Sequence, residues 1–298
     1  MLKAALIGLG SMGKNHFRAL KRLPNVQIEA LCDNQLDEFE GQNVWRSADE
    51  MLANTRLDAA LIVVPTFLHR EIALKCAQYG LDMFIEKPAA ATAGEALEIA
   101  AMAESKKIKS AVGHIERFNP VVMALKKELE GKDIYSLVIT RVGPIPPRIA
   151  DVGILTDLAV HDVDLIRFLT GKEVADRHIV SSKKIHNHYE DNAILSFKLQ
   201  NEVVATISTN WLTPFRKRRI EVATAAGYYE ADLISQSLCC FSAYTASQSY
   251  LVRDIAVQKG EPLLNELGAF INYCATGERG FLASIEDSIK TLELVRAA

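Results

Sequence analysis

The chain has 298 residues, 49% of them hydrophobic and 24% charged, which is enough for two domains that each close a core of their own. Its net charge of -3 provides no general attraction to phosphate backbones or anionic membranes. Nucleic acid is therefore not the expected partner, and any anion must be held by a local site. The five cysteines, Cys32, Cys76, Cys239, Cys240 and Cys274, form an odd set without a CxxC pair. That argues against a disulfide framework or a thiolate zinc site and fits a reducing compartment. The first residues, "MLKAALIGLGSMG", lack a long h-region, and no run approaches the roughly 20 apolar residues that span a bilayer, so a cytoplasmic protein is expected.

In chain order, short apolar runs at 3–10, 26–33, 57–65, 81–88 and 108–114 read as buried strands. Helical stretches separate most of them: Lys14 to Arg22, Leu68 to Tyr79, and Thr92 to Lys106, where Thr92 and Glu95 form a capping box. Alternating strands and helices with near-continuous apolar strands predict a doubly wound parallel sheet covered on both faces. From about Phe118 the character changes. A helix to about Gly131, the run "IYSLVITRVG", a proline-rich loop and a helix over 157–169 lead into five extended segments with turn signals between them. These predict an antiparallel sheet. The tail, 261–275 and 284–298, returns to helical spacing, and the expected domains are 1–118 and 119–298.

"GLGSMG" places Gly8, Gly10 and Gly13 between a predicted strand and a predicted helix, the context in which G-x-G-x-x-G holds a dinucleotide pyrophosphate on a helix N-terminus. Ser11 and Met12 belong to the same turn. A plain strand-to-helix turn would also use three glycines. Asp33 ends the second strand 20 residues after Gly13, the spacing at which a carboxylate reaches the adenosine ribose hydroxyls. A carboxylate there repels a 2′-phosphate, and no arginine follows in "CDNQLDEF", so NAD is favoured over NADP.

"DMFIEKP" ends the fourth strand on Glu86, Lys87 and Pro88. Ligands of open parallel sheets bind beyond the carboxyl ends of the strands, so Lys87 stands where a nicotinamide and a substrate would meet. A fixed ammonium there can stabilise the negative oxygen of a hydride-transfer reaction. The plain alternative is a strand-end lysine paired with Glu86 in solvent. "TDLAVHDVD" sets Thr156 as a candidate N-cap and Asp157 and His161 at i and i+4. A carboxylate that orients an imidazole suits a general base near neutral pH. A surface bridge or a packed histidine would give the same pattern. A metal at Asp157, His161 and Asp164 lacks supporting ligands, so none is expected. "FRKRRIEV" (215–222) reads as a solvated face or an intersubunit contact, and "HNHY" (186–189) as surface.

"GLGSMG", "VVPTFLH" (63–69), "IEKP" (85–88), "GHIERFNP" (113–120) and "DLAVH" (157–161), in this order, resemble the glucose-fructose oxidoreductase, inositol dehydrogenase and MocA family. The resemblance implies a Rossmann domain followed by an α/β domain with a large, mostly antiparallel sheet, whose open face forms a homodimer or homotetramer interface. It implies nicotinamide-dependent chemistry on a sugar or polyol, with Lys87 and His161 as catalytic lysine and acid/base and Asp157 on the same helix. Pro65, Thr66, His69 and Glu86 match segments near the cofactor. Where many members carry a glycine-rich run before the catalytic helix, this chain reads "PPRIADVGILTD". The stretch from Thr140 to Asp164, with "GHIERFNP" upstream, is similar to the branch that oxidises UDP-N-acetylglucosamine at its 3-hydroxyl. In such an enzyme Arg141 and Arg148 would bind a diphosphate through their bidentate forks, with Arg117 as a further substrate contact. The competing expectations are a free-sugar or inositol dehydrogenase and a non-catalytic NAD-binding sensor.

Overall fold

A computed structural model describes residues 1–145, 153–185, 188–243 and 249–296. The chain divides into two compact units, one of residues 1–118 and 261–290, the other of residues 119–260 and 291–298.

The first unit begins β1 (Leu2–Ile7), α1 (Ser11–Leu20), β2 (Val26–Cys32), β3 (Glu38–Phe39), β4 (Gln42–Trp45) and α2 (Ala48–Asn54). It continues with β5 (Ala59–Ile62), α3 (His69–Gln78), β6 (Asp82–Glu86), α4 (Ala93–Lys106) and β7 (Ser110–Gly113). The strand order is β3-β4-β2-β1-β5-β6-β7, and only the β3–β4 pair is antiparallel. Side chains of β1 alternate between two cores: Ala4 and Leu6 pack with α1, while Ala5 and Ile7 pack with α2, α3 and α4. Burial on both faces explains why these strands read as continuous apolar runs. The capping box of α4 is present, with Thr92 Oγ1 accepting from the Glu95 N–H and Glu95 accepting from the Thr92 N–H. β3, β4 and α2 were not anticipated; β3 has two residues and β4 four, too few for a periodicity to show.

The second unit holds α5 (Pro120–Leu129), β8 (Ile134–Pro144), a π-helical turn (Leu155–Ala159), α6 (Val160–Thr170), β9 (Val174–Ser182) and β10 (Asn192–Leu199). It ends with β11 (Val204–Asn210), β12 (Leu212–Thr224), β13 (Gly227–Asp232), β14 (Ser237–Ser242) and β15 (Val252–Ile255). These strands form one sheet, β15-β14-β13-β12-β8-β11-β10-β9, antiparallel except for the central β8–β11 pair. One face packs Leu137, Ile139, Leu195, Phe197, Ile207 and Val222 with α5 and α6. The register sets Val180, Ile194, Val138 and Val204 on the opposite face, where they are between 39% and 57% exposed.

Two tail helices follow, α7 (Pro262–Thr276) and α8 (Ile285–Val295). The sequence reading assigned the whole tail to the second domain, whereas 261–290 packs with the first unit. Leu263, Leu267, Phe270 and Ile271 form an apolar stripe that covers the α1 side of the parallel sheet, and the Phe270 ring stands edge-on to Phe84 at 5.5 Å. Helical periodicity reveals such a stripe but not which sheet it covers. Among the described residues no helix is long and apolar enough to cross a membrane.

Candidate active site

The three glycines of the first turn differ in what surrounds them. Gly8 has φ +96°, and a Cβ there would meet the Val63 carbonyl oxygen at 2.6 Å. A Cβ on Gly13 would lie 2.0 Å from the Gly8 carbonyl oxygen, whereas one on Gly10 would meet nothing within 4 Å. Gly8 thus serves the turn, Gly13 the close packing of helix on strand, and Gly10 leaves open space before α1. No side chain caps α1 and no acidic residue stands in its first turn, so its N-terminal dipole is free for an anion.

β2, β1, β5 and β6 are parallel neighbours, so Asp33, the glycine turn, Val63–Pro65 and Glu86–Lys87 follow carboxyl ends on one edge of the sheet. A cavity of about 510 Å³ opens over the β2, β1 and β5 part of this edge, lined by Gly8, Gly10, Ser11, Met12, Asp33 and Pro65 among others, with Glu86 and Lys87 outside its lining. Asp33 accepts hydrogen bonds from the Leu9 N–H at 2.7 Å and the Gln35 N–H at 2.9 Å. Each carboxylate oxygen retains a further acceptor site for a ribose hydroxyl. The residues fit NAD: an open approach to the helix terminus, and a fixed carboxylate beside it.

Sequence reasoning missed Asn34, Gln35 and Arg46, which line the same cavity. No arginine follows Asp33 within "CDNQLDEF", but β4 brings Arg46 beside it across the sheet. The only signal for Arg46 was a four-residue strand that ends just before it.

At the end of β6, Glu86 Oε2 accepts from the Lys87 N–H at 3.1 Å and Oε1 lies 2.7 Å from Nε2 of His16, a fully buried residue of α1. Burial would raise the Glu86 carboxyl, but the His16 hydrogen bond and the nearby Lys87 charge outweigh it and hold Glu86 below the usual carboxylate range. His16 was not foreseen; its signal was a polar residue on the buried side of α1, three places after Gly13. Lys87 is half-buried and its bond to Pro88 is cis.

His69 requires a correction. The family resemblance placed it near the cofactor, yet it is 1% exposed, with Nδ1 2.9 Å from the Pro88 carbonyl oxygen and Nε2 2.9 Å from that of Val64. Burial lowers its pKa against the opposing pull of these carbonyls. His69 braces the β5 loop against the Lys87–Pro88 corner instead of facing a ligand. Thr66 opens a 3-10 turn over Thr66–Leu68 beside Pro65 and does not line the cavity.

In the second unit His161 is the second residue of α6, and Asp157 lies in the π-helical turn that leads into it. Both side chains are half-buried. Thr156 is not an N-cap, since the helical segment already starts at Ile154. The start is held instead by Glu190, whose carbonyl accepts from the Ile154 N–H at 2.9 Å and whose carboxylate accepts from the Leu155 N–H at 3.2 Å.

Two of the three candidate substrate arginines, Arg141 and Arg117, are committed elsewhere. Arg141 is 2% exposed and its Nε lies 2.8 and 3.0 Å from the two oxygens of Asp162, itself fully buried on α6. It therefore pins α6 to β8, and its charge is neutralised inside the fold. Arg117 is 5% exposed, 3.4 Å from the Asp287 carboxylate, and donates to the Phe281 carbonyl. Alternation along β8 put Arg141 on the core side, where a strand signal carries no warning of a buried ion pair. Arg148 and residues 186–187 of "HNHY" lie outside the described residues.

All five cysteines are free thiols, and burial pushes Cys32 up to about 11 and Cys76 up to about 12, so neither is a nucleophile at neutral pH. Among the described residues no three His, Cys, Asp or Glu side chains converge as a metal site. A second cavity, of about 400 Å³, is lined by Tyr228, Phe241 and Tyr250 and by small residues, and offers no acid or base beyond tyrosine hydroxyls.

Residues 2–114 match the model of the GFO/IDH/MocA oxidoreductase family with its NAD-binding Rossmann fold, and residues 145–230 match the C-terminal domain model of the same family. A UDP-N-acetylglucosamine 3-dehydrogenase of Acidithiobacillus ferrooxidans is 29% identical over 92% of this chain and 89% of its own. Its crystal structure superposes with a TM-score of 0.89, covering 99% of this chain and 95% of that one at 25% identity. A scyllo-inositol 2-dehydrogenase (NAD(+)) of Bacillus subtilis is 23% identical over 97% of this chain and 90% of its own. With the glycine turn, Asp33 and both domain models in place, the chain belongs to the Gfo/Idh/MocA family and is an oxidoreductase with an NAD-binding Rossmann domain.

Proposed function

We propose that the protein oxidises a secondary hydroxyl of a nucleotide-activated sugar, with the 3-hydroxyl of UDP-N-acetylglucosamine as the leading candidate. The observation that carries the reading is the position of Lys87: it follows the carboxyl end of β6, on the sheet edge that also carries the glycine turn and Asp33. The likeness to the Acidithiobacillus enzyme along nearly the whole chain supports the substrate class.

In this mechanism Gly10 and the α1 N-terminus hold the pyrophosphate, and Asp33 holds the adenosine ribose. NAD, when bound, supplies the hydride acceptor. His161 removes the hydroxyl proton, and Asp157 orients and tunes the imidazole. Lys87 stabilises the negative charge that grows on the substrate oxygen. Glu86, ionised and anchored by His16, fixes the backbone that carries Lys87. The exposed sheet face around Val180 and Ile194 is assigned to a homodimer or homotetramer contact.

The inositol dehydrogenase likeness supports a second reading, oxidation of a free polyol. The burial of Arg117 and Arg141 favours it to the extent that neither is available for a diphosphate. Absorbance of NADH at 340 nm with UDP-N-acetylglucosamine, N-acetylglucosamine and myo-inositol separates the two. The first reading predicts turnover with the UDP-sugar and inhibition by UDP; turnover with free inositol and indifference to UDP would replace it with the second. No reduction of NAD by any sugar or polyol would favour a sensor.

A further inference from the structure

Asp33 is one wall of the cavity's ribose end, and Arg46 stands beside it. β2 and β4 pair in parallel through Leu31 with Val44 and Cys32 with Trp45, and the Asp33 N–H continues the ladder to the Trp45 carbonyl at 3.0 Å. The residues that follow the two strands, Asp33 and Arg46, therefore emerge side by side. Arg46 donates through Nη1 to the Asn34 carbonyl at 2.7 Å. That places the guanidinium against the residue next to the ribose carboxylate, where a 2′-phosphate would lie if the ribose were phosphorylated.

The guanidinium is held in place but not exhausted. Its Nε and Nη2 meet the two carboxylate oxygens of Asp37 at 2.6 and 2.8 Å in a bidentate fork. Of the five N–H groups of an arginine, two remain to donate. Asp37 is 81% exposed and is not part of the cavity lining, whereas Arg46 is. The hydrogen bond with Arg46 holds Asp37 below the usual carboxylate range, so the pair stays ionised throughout the neutral range. Two carboxylates against one guanidinium leave this end of the cavity with a single net negative charge. Without Asp37 the charges would cancel, and a fork whose geometry suits phosphate would be released.

We propose that Arg46 is a latent 2′-phosphate site masked by Asp37, so that the Asp37–Arg46 clasp, together with Asp33, sets the preference of this pocket for NAD over NADP. The proposal rests on the assignment of this cavity to the dinucleotide. It makes cofactor choice a property of three charges rather than of the ribose carboxylate alone, and one of them lies outside the pocket.

Equilibrium titration of the full chain with NADH and NADPH, followed by nucleotide fluorescence, tests it. Asp37→Asn should tighten NADPH binding about fivefold, the scale of one solvent-exposed charge pair, while NADH gains nothing comparable. Adding Arg46→Ala to Asp37→Asn should cancel that gain. Unchanged NADPH affinity in Asp37→Asn, or a gain that survives the loss of Arg46, would overturn the proposal while tight NADH binding leaves the cavity assignment standing. If the unaltered protein bound neither dinucleotide, the assignment itself would fall and the proposal with it.

Discussion

His69 has both ring nitrogens against carbonyl oxygens, and a neutral ring owns one N–H, so it can donate to only one of them at a time. Its protonation is nonetheless opposed by burial, which lowers its pKa below the 6.5 of a free side chain. The unfolded chain then binds more protons than the folded one as pH drops through 6.5, and stability falls on the acid side. Thermal unfolding should show a midpoint that is flat above about pH 7 and declines below about 6.5, a slope that His69→Gln flattens. His69→Ala should cost about 1–3 kcal/mol in urea denaturation because it empties a buried ring site and removes the hydrogen bond that the ring donates to a backbone carbonyl. Arg141 obeys the same logic with charge. Arg141→Ala breaks the buried ion pair with Asp162 and should destabilise the second unit by about 3–5 kcal/mol. At this scale sequence patterns located side chains well and misjudged what faced them: a motif says that His69 and Arg141 matter, whereas only packing shows that they bind the fold instead of the ligand.

The strand-to-helix turn at Gly8–Gly13 carried the most legible signal because Gly8 and Gly13 answer constraints that the backbone itself imposes, while Gly10 leaves the space before α1 open. Gly10→Ala meets no protein atom within 4 Å, so the unfolding midpoint should stay put while NADH binding weakens at least about tenfold, as the methyl enters space an anion would use. Gly13→Ala, with its Cβ 2.0 Å from the Gly8 carbonyl oxygen, should lower the unfolding midpoint as well as binding. Paired titration and thermal scans of the two variants check both statements. The parallel strands and the α4 capping box were legible for similar local reasons. β3 and β4 were too short to show, and the N-cap expectation at Thr156 failed because the helical segment starts earlier, with its first N–H groups held by Glu190, which is remote in sequence.

Across the molecule the two sheets do different work. The parallel sheet carries the residues proposed to hold the cofactor on one edge, and the antiparallel sheet leaves Val138, Val180, Ile194 and Val204 on an exposed face. Four exposed aliphatic side chains on one strand-rich face fit the proposed subunit association. Ile194→Arg, at the centre of the β9–β10–β11 register, should shift the molar mass seen in multi-angle light scattering toward the monomer; an unchanged oligomer would move the interface elsewhere. The fate of the tail was the largest misjudgement at this scale. Its helical period was plain, but only the docking of Phe270 on Phe84 assigns it to the first unit. The catalytic assignment likewise joins residues far apart in sequence, an ammonium at the end of one strand and an imidazole near the start of one helix. The direct test is a double-mutant cycle on kcat with the true sugar substrate. Lys87→Ala and His161→Ala should each lower kcat by about 10² to 10⁴ with NADH affinity retained, and the double variant should fall no more than about threefold below the worse single one, because both serve the same bond-breaking step. Full turnover in either single variant, or losses that multiply in the double, would contradict a shared carbinol.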